Sequence, residues 1–233
     1  MTSCTEVRKI RDLAPGDHLC CFYETEEEHR ASTTAFLRRG LEENDKVLYI
    51  VDANDAVLPV EYLGEDGVEA GPLLACGQLS ILSADQTYLQ TGRFDPERTV
   101  ALLRAATDRA LAQGYRALRV VCEMTWALRN ASGCGRLIEF EYRLTSFVLR
   151  NPCVGLCQYE SRRFPPGVLL DVLTSHPWVA VGTDVYENFY HLPPAELLGP
   201  DVEAATLQQW LKNLTAWKRR GADFATAREG RYE

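Results

Sequence analysis

The sequence has no run of eighteen or more apolar residues, so no transmembrane helix is expected. Residues Met1 to Arg11 are polar and lack the apolar stretch of a signal peptide. Together these absences lead to an expected cytoplasmic location. Positive charge is scarce: 25 Lys and Arg stand against 33 Asp and Glu, giving a net charge of −8 and a pI near 5.2. Such a balance argues against broad binding of nucleic acid or anionic membrane, both of which need a cationic face. None of the eight cysteines forms a C-x-x-C pair, which removes the zinc-ribbon class. A disulfide framework is not expected in a reducing compartment. No internal repeat or low-complexity segment stands out.

What remains is a chain of ordinary globular make-up, 233 residues with 46% hydrophobic and 25% charged content. That length suits one large domain, or one domain with a short appendage, and supports a sizeable core. Cys20, Cys21, Cys122 and Cys157 lie in runs that read as buried strands, where a free thiol serves as a small core residue.

Along the chain, strands alternate with helices. His18 to Tyr23 follows the turn residues Pro15-Gly16-Asp17 and reads as a strand. Ala31, Ala35, Leu37 and Leu41 recur at helical spacing between Glu26 and Glu43. Lys46 to Val51 is the next strand, so this first unit implies a parallel pair with a right-handed crossover. Leu79 to Leu82, Leu118 to Cys122, Cys153 to Tyr159 and Trp178 to Gly182 read as further strands. The helices between them cover 95–113, with Pro96 in the first turn, then roughly 135–150 and 166–175. This order predicts an α/β domain with a mainly parallel sheet covered by helices on both faces. After Pro193-Pro194 the character changes, and 201–220 is expected to be an amphipathic helix with Leu207, Trp210, Leu211, Leu214 and Trp217 on one stripe. The expected division is a domain over 10–198 and a helix and tail over 199–233, the helix docking on the domain or on a second subunit.

In nucleotide-hydrolysing domains of this element order, the loop after the first strand carries G-x-x-x-x-G-K-[ST], whose amides and lysine cradle phosphates. Here the loop is Glu24-Thr25-Glu26-Glu27-Glu28-His29-Arg30, without glycine or lysine. Four carboxylates would repel a triphosphate, and hydrolysis by that route is not expected. Carboxylates at a helix N-terminus have a simpler use, since they favour the helix dipole. A site for a cation or cationic ligand is the alternative.

A set of segments runs in order along the chain: Pro15-Gly16-Asp17-His18 with Tyr23-Glu24, Gly114-Tyr115, Leu118-Arg119 and Glu123-Met124-Thr125-Trp126. It continues with Phe140-Glu141, Leu156-Cys157-Gln158-Tyr159, Leu173-Thr174-Ser175-His176-Pro177 and Asn188-Phe189-Tyr190. In these segments, over roughly 10–198, the chain resembles the MEDS domain, a sensory family named for methanogens, methylotrophs and a dichloromethane-responsive regulator. Phe140 stands where such proteins usually have tyrosine. The resemblance implies a RecA/KaiC-like fold and sensing of small organic molecules such as simple hydrocarbon derivatives. Members stand alone or are joined to kinase, PAS or DNA-binding modules. None is recognisable here, so the output is expected to pass through protein contacts.

Ligands of open α/β sheets bind beyond the carboxyl ends of the strands. Tyr23 and Glu24, Glu123, and Tyr159 with Glu160 fall there. Glu123 occupies the place of the metal-binding acid in related ATPases, or else caps a loop. Trp126 is either a pocket wall or a packed core residue. Glu141 shares a helical face with Leu137, Leu144 and Val148 and should point inward, where a carboxylate needs a partner; Arg119 and His18 are the chemical candidates. His18 and His176, with Cys20, Cys157, Glu123 or Glu141, could make a mixed N/S/O metal site, although the spacing does not force one. His29 and His191 have no support beyond their type. Lys218-Arg219-Arg220 suits a helix C-terminus, and no nucleic-acid contact is expected from it.

The candidate ligand-binding set is therefore His18, Tyr23, Glu24, Glu123, Trp126, Glu141, Cys157, Tyr159 and His176, with the cofactor and any metal unidentified. The leading expectation is a small-molecule sensor with a protein partner or as a homodimer. The alternatives are an enzyme using the Glu, His and Cys groups, or an interaction protein acting through its terminal helix.

Overall fold

A computed structural model describes residues 8–54, 56–192, 201 and 203–215. Seven strands form one sheet: β1 (His18–Tyr23), β2 (Lys46–Val51), β3 (Leu79–Ser83), β4 (Leu118–Glu123), β5 (Cys153–Glu160), β6 (Trp178–Val181) and β7 (Asp184–Glu187). Their order is β3-β2-β4-β5-β1-β6-β7. All neighbours are parallel except β6 and β7, which pair antiparallel. The fold class expected from the sequence is the one observed. The first strand–helix–strand unit does not give adjacent strands, because β4 and β5 lie between β1 and β2. β7 was not legible in advance; Gly182, at φ +61°, opens the tight loop that turns the chain back from β6.

Six helices flank the sheet: α1 (Glu26–Glu42), α2 (Leu58–Glu65), α3 (Ala70–Cys76), α4 (Pro96–Ala112), α5 (Leu137–Val148) and α6 (Pro166–Ser175). Because side chains alternate along a strand, each central strand feeds two cores. Leu19, Cys21, Tyr49, Val121, Val154 and Leu156 pack on the face with Phe36 and Leu37 of α1 and Leu63 of α2. Cys20, Leu48, Ile50, Val120, Cys122 and Cys157 pack on the opposite face with helices α4, α5 and α6. The buried stripe of α1 is His29, Ser32, Thr33, Phe36, Leu37 and Gly40. It differs from the alanine and leucine stripe expected from spacing, and Ala31 is exposed.

A further helix, α7, covers residues 203–215. It touches the preceding segment through Trp210 Nε1, which donates to the Tyr190 carbonyl at 3.4 Å, and through Asn213, which donates to the Phe189 carbonyl. Leu207, Leu211 and Leu214 remain exposed. Trp217, Lys218 to Arg220 and the expected boundary at 198 lie outside the described residues.

Candidate functional site

On the α5 side of the sheet, four titratable side chains meet without solvent: His18 from β1, Cys157 from β5, Glu141 from α5 and His176 directly after α6, each 0% exposed. One ligating atom of each lies within 4.8 Å of those of the others. His18 Nε2 is 3.4 Å from Cys157 Sγ and 3.6 Å from Glu141 Oε2. His176 Nε2 is 3.3 Å from the same Glu141 oxygen, and Cys157 Sγ is 3.6 Å from it. Glu141 Oε1 accepts from the Tyr159 hydroxyl. Gly155, opposite His18 in the β5 register, leaves room for the ring, since a Cβ there would sit 2.9 Å from His18 Cδ2.

The surrounding hydrogen bonds assign the protons. Thr145 Oγ1 donates its one proton to the Ser175 carbonyl at 3.0 Å, so it accepts from His18 Nδ1 at 2.8 Å. The Ser175 hydroxyl donates to the Val172 carbonyl, so His176 Nδ1 must be the donor to that carbonyl at 2.8 Å and to Ser175 Oγ at 3.0 Å. Both imidazoles therefore carry a proton on Nδ1 and turn Nε2 to the centre. Burial, with His176 and His191 beside it, holds His18 well below the ordinary imidazole range. Burial likewise pushes the Cys157 thiol and the Tyr159 hydroxyl well up, with Cys122 and Glu141 adding to the first and Glu141 to the second. Two imidazole Nε2 atoms and the Cys157 thiol thus face one carboxylate oxygen. His176 Nε2 has no hydrogen-bond partner at all.

An aromatic box adjoins this cluster. Trp126 stacks on Tyr88 with ring centroids 4.7 Å apart and lies 4.3 Å from Phe94, while Phe140 closes edge-on against all three. Trp126 is packed in the core at 0% exposure, one of the two readings its sequence context left open. Its Nε1 is buried without an acceptor, and the Tyr88 hydroxyl has nothing better than the weakly polar Cys122 thiol beside it. Tyr88 also lies in the field of Cys157 and Glu141, which places it between the box and the cluster.

The other predicted residues go elsewhere. Glu123 lies on the α1 side, where its carboxylate accepts from Tyr49 Oη (2.8 Å), Asp52 N (2.8 Å), Asn54 Nδ2 (3.0 Å) and Asn54 N (3.3 Å). Its lone pairs are spent on pinning the segment after β2, so it acts as a loop cap. Tyr23 lies against the buried His29, the rings tilted by 39° with centroids 4.7 Å apart. Burial and the nearby Glu123 carboxylate push the Tyr23 hydroxyl up. Glu24 faces solvent and pairs with Arg162 at 3.4 Å. Arg119 is not the partner of Glu141. It projects to the α1 face, donates to Asp45 at 3.0 Å and to the Leu13 carbonyl at 3.1 Å, and lies over Phe36. His18 is the partner, and the converging groups lie between the sheet and α5–α6 rather than beyond the strand ends. Thr145, Tyr88, Phe94 and Gly155 were missed; of these only Thr145, four residues after Glu141, carried a local signal.

A groove of about 1070 Å³ crosses the outer surface of α4, α5 and α6, lined by Val100, Ile138, Tyr142 and Phe147 together with charged groups such as Arg104 and Arg143. It contains none of the cluster residues.

Residues 17–177, which include the whole cluster, match the family model described as the methanogen/methylotroph, DcmR sensory domain. The chain belongs to the MEDS family. This MEDS chain is 25% identical over 166 residues to the transcriptional repressor DcmR of Methylorubrum extorquens, a match covering 71% of the chain and 60% of the repressor. Among solved structures, the flagellar accessory protein FlaH of Methanocaldococcus jannaschii superposes with a TM-score of 0.50 at 12% identity, covering 74% of this chain and 76% of FlaH. A KaiC-like protein of Pyrococcus horikoshii gives 0.49 at 14% identity, covering 74% and 79%. At these identities the FlaH likeness bears on the fold alone, a RecA/KaiC-like sheet. The family places the chain among sensory, regulatory domains. No helix among the described residues is long and apolar enough to cross a membrane.

Proposed function

We propose that this MEDS domain is a cytoplasmic sensor that binds a small organic molecule against the Tyr88, Phe94, Trp126 and Phe140 box and does not hydrolyse nucleotide. The observation that carries it is the pair of underused donors, Trp126 Nε1 and Tyr88 Oη, buried in an apolar layer. A buried polar group without a partner costs about 1–3 kcal/mol, and a ligand with one acceptor atom and a short apolar body removes that cost. Simple hydrocarbon derivatives, the ligand class implied by the family resemblance, have that make-up.

The absence of nucleotide chemistry is supported by the start of α1. Thr25 Oγ1 accepts from Glu28 N at 3.2 Å, and Glu28 Oε2 accepts from Glu24 N at 2.8 Å and Thr25 N at 3.3 Å. Three amides at this helix start are thus engaged by side chains of the chain itself, two by the Glu28 carboxylate and one by the Thr25 hydroxyl.

Titration of the full chain with short-chain alcohols and halocarbons, followed by tryptophan emission, tests the proposal. A saturable change that disappears in Trp126→Phe is expected. Saturation that survives unchanged in that variant would move the ligand elsewhere. Turnover of a bound probe into product would replace sensing with catalysis.

A further inference from the structure

We propose that His18, Glu141, Cys157 and His176 hold one divalent d-block cation of the zinc class, resident beneath the sheet. The first support is the proton count. Both imidazoles spend their Nδ1 protons outward, on Thr145 and on the Val172 carbonyl, and turn Nε2 inward onto a carboxylate oxygen. Lone pairs facing one another in a dry interior repel, and His176 Nε2, buried without a hydrogen bond of good geometry, is aimed at the same carboxylate oxygen as His18 Nε2. A cation among the four atoms converts that repulsion into four bonds.

The second support is metrical. The edge of a regular tetrahedron is about 1.63 times the centre-to-vertex distance, so bonds of about 2.0–2.1 Å to nitrogen or oxygen give edges near 3.3 Å, and a sulfur bond of about 2.3 Å lengthens its edges to roughly 3.6 Å. The measured separations are 3.3 Å for His176 Nε2 to Glu141 Oε2, 3.6 Å for His18 Nε2 to the same oxygen, 3.6 Å for Cys157 Sγ to it, and 3.4 Å for His18 Nε2 to Cys157 Sγ. Four edges of the polyhedron thus stand near their bonded lengths before any ion is added.

The third support is the outer layer. Ligating histidines characteristically give their second ring proton to a carbonyl or hydroxyl, and ligating carboxylates are themselves hydrogen-bonded. Each occurs here: Thr145 and the Val172 carbonyl hold the rings, Tyr159 holds Glu141, and Gly155 leaves space beneath His18. Two neutral imidazoles with one carboxylate and one thiolate neutralise a dication, and the mixed N, O and S set selects a borderline metal over magnesium or calcium. On binding, Cys157 forms the metal–sulfur bond and releases its proton to solvent. All four positions are filled by protein, the pattern of a structural ion that clips β1, β5, α5 and the end of α6 together. Of the two openly polar sites, this one suits a cation, because the Glu123 oxygens are already engaged by four donors.

The test uses the full chain. Metal content of the purified protein, measured by plasma mass spectrometry after dialysis against added zinc, should be one equivalent per chain. Replacement by cobalt(II) should give a thiolate-to-cobalt charge-transfer band with the intense visible bands of tetrahedral geometry, and zinc should erase both. Cys157→Ser should abolish the charge-transfer band, and His176→Ala should weaken cobalt binding at least tenfold, whereas Cys76→Ser, at an exposed thiol, should change neither. A folded wild-type chain that retains no stoichiometric metal, or a cobalt spectrum unaltered in Cys157→Ser, overturns the proposal. The wild-type measurements decide the matter even where His176→Ala fails to fold.

Discussion

Replacing Glu141 by glutamine separates a site built to receive a cation from a buried ion pair. In the native chain one carboxylate oxygen accepts from Tyr159, and the other faces His176 Nε2 at 3.3 Å and His18 Nε2 at 3.6 Å. A glutamine oriented by Tyr159 keeps the accepted bond and turns its two N–H groups toward those lone pairs. One new bond is worth about 0.5–1.5 kcal/mol, and a buried carboxylate is removed at the same time. In protein stripped of metal, Glu141→Gln should therefore alter the unfolding free energy by no more than about 1 kcal/mol in either direction. Had the histidines been cationic partners of Glu141, breaking the buried pair would cost about 3–5 kcal/mol. Urea unfolding in the presence of a chelator, followed by far-ultraviolet circular dichroism, distinguishes the two. A loss of several kcal/mol in the metal-free variant would refute the proton assignment on which the site rests.

Asp45→Ala should be among the costliest substitutions outside the site, about 3–5 kcal/mol by urea titration, because it leaves the fully buried Arg119 guanidinium without its counter-charge. Gly40→Ala should lower the denaturation midpoint by meeting the same arginine, since the new Cβ would lie 2.4 Å from Arg119 Cδ. Gly155→Ala should displace the His18 ring and weaken cobalt binding more than it weakens the fold, a comparison made by titrating metal and urea on the same preparation. Metal-free protein should lose stability on acidification. Burial holds His191 at about 4 against an ordinary 6.5, and it holds His18 well below the ordinary value too. Stability is then full above about pH 6.5 and falls as the pH drops toward 4, because the unfolded chain takes the protons first. His191→Gln should flatten that slope in pH-dependent urea titrations. Deletion of residues 201–233 should leave probe binding to the box unchanged in the fluorescence titration, since the hydrogen bonds of Trp210 and Asn213 go to the segment after β7 and not to the box.

The strands were legible because β1, β2, β4 and β5 are continuous apolar runs closed by turn residues, the pattern of a sheet covered on both faces. The short α2 and α3 were not, because Pro59, Gly64, Gly71 and Pro72 interrupt any helical period in segments of eight and seven residues. Which strands are neighbours was also hidden, since crossover length does not specify how many strands a connection passes. Within the site, the inward face of Glu141 followed from its spacing with Leu137, Leu144 and Val148. Its partners did not, because Cys157, His176 and His18 lie 16, 35 and 123 residues from Glu141 in the chain and their meeting is fixed only by strand order. Alternation along β4 places Arg119 with Val121 and Glu123 opposite Val120 and Cys122, which explains why Arg119, a candidate partner for Glu141, serves the α1 face with Glu123 instead. Polar Ser32 and Thr33 replaced the expected apolar stripe of α1 because Gln158 donates to both, at 3.3 and 2.9 Å.

Native mass spectrometry of the full chain, incubated in parallel with the short organic probes and with ATP and magnesium, bears most directly on the sensory assignment. One probe molecule per folded chain, lost on denaturation and in Trp126→Phe, with no nucleotide adduct, is the predicted result. A nucleotide adduct accompanied by phosphate release, or a folded chain that retains no probe at any concentration, would contradict it.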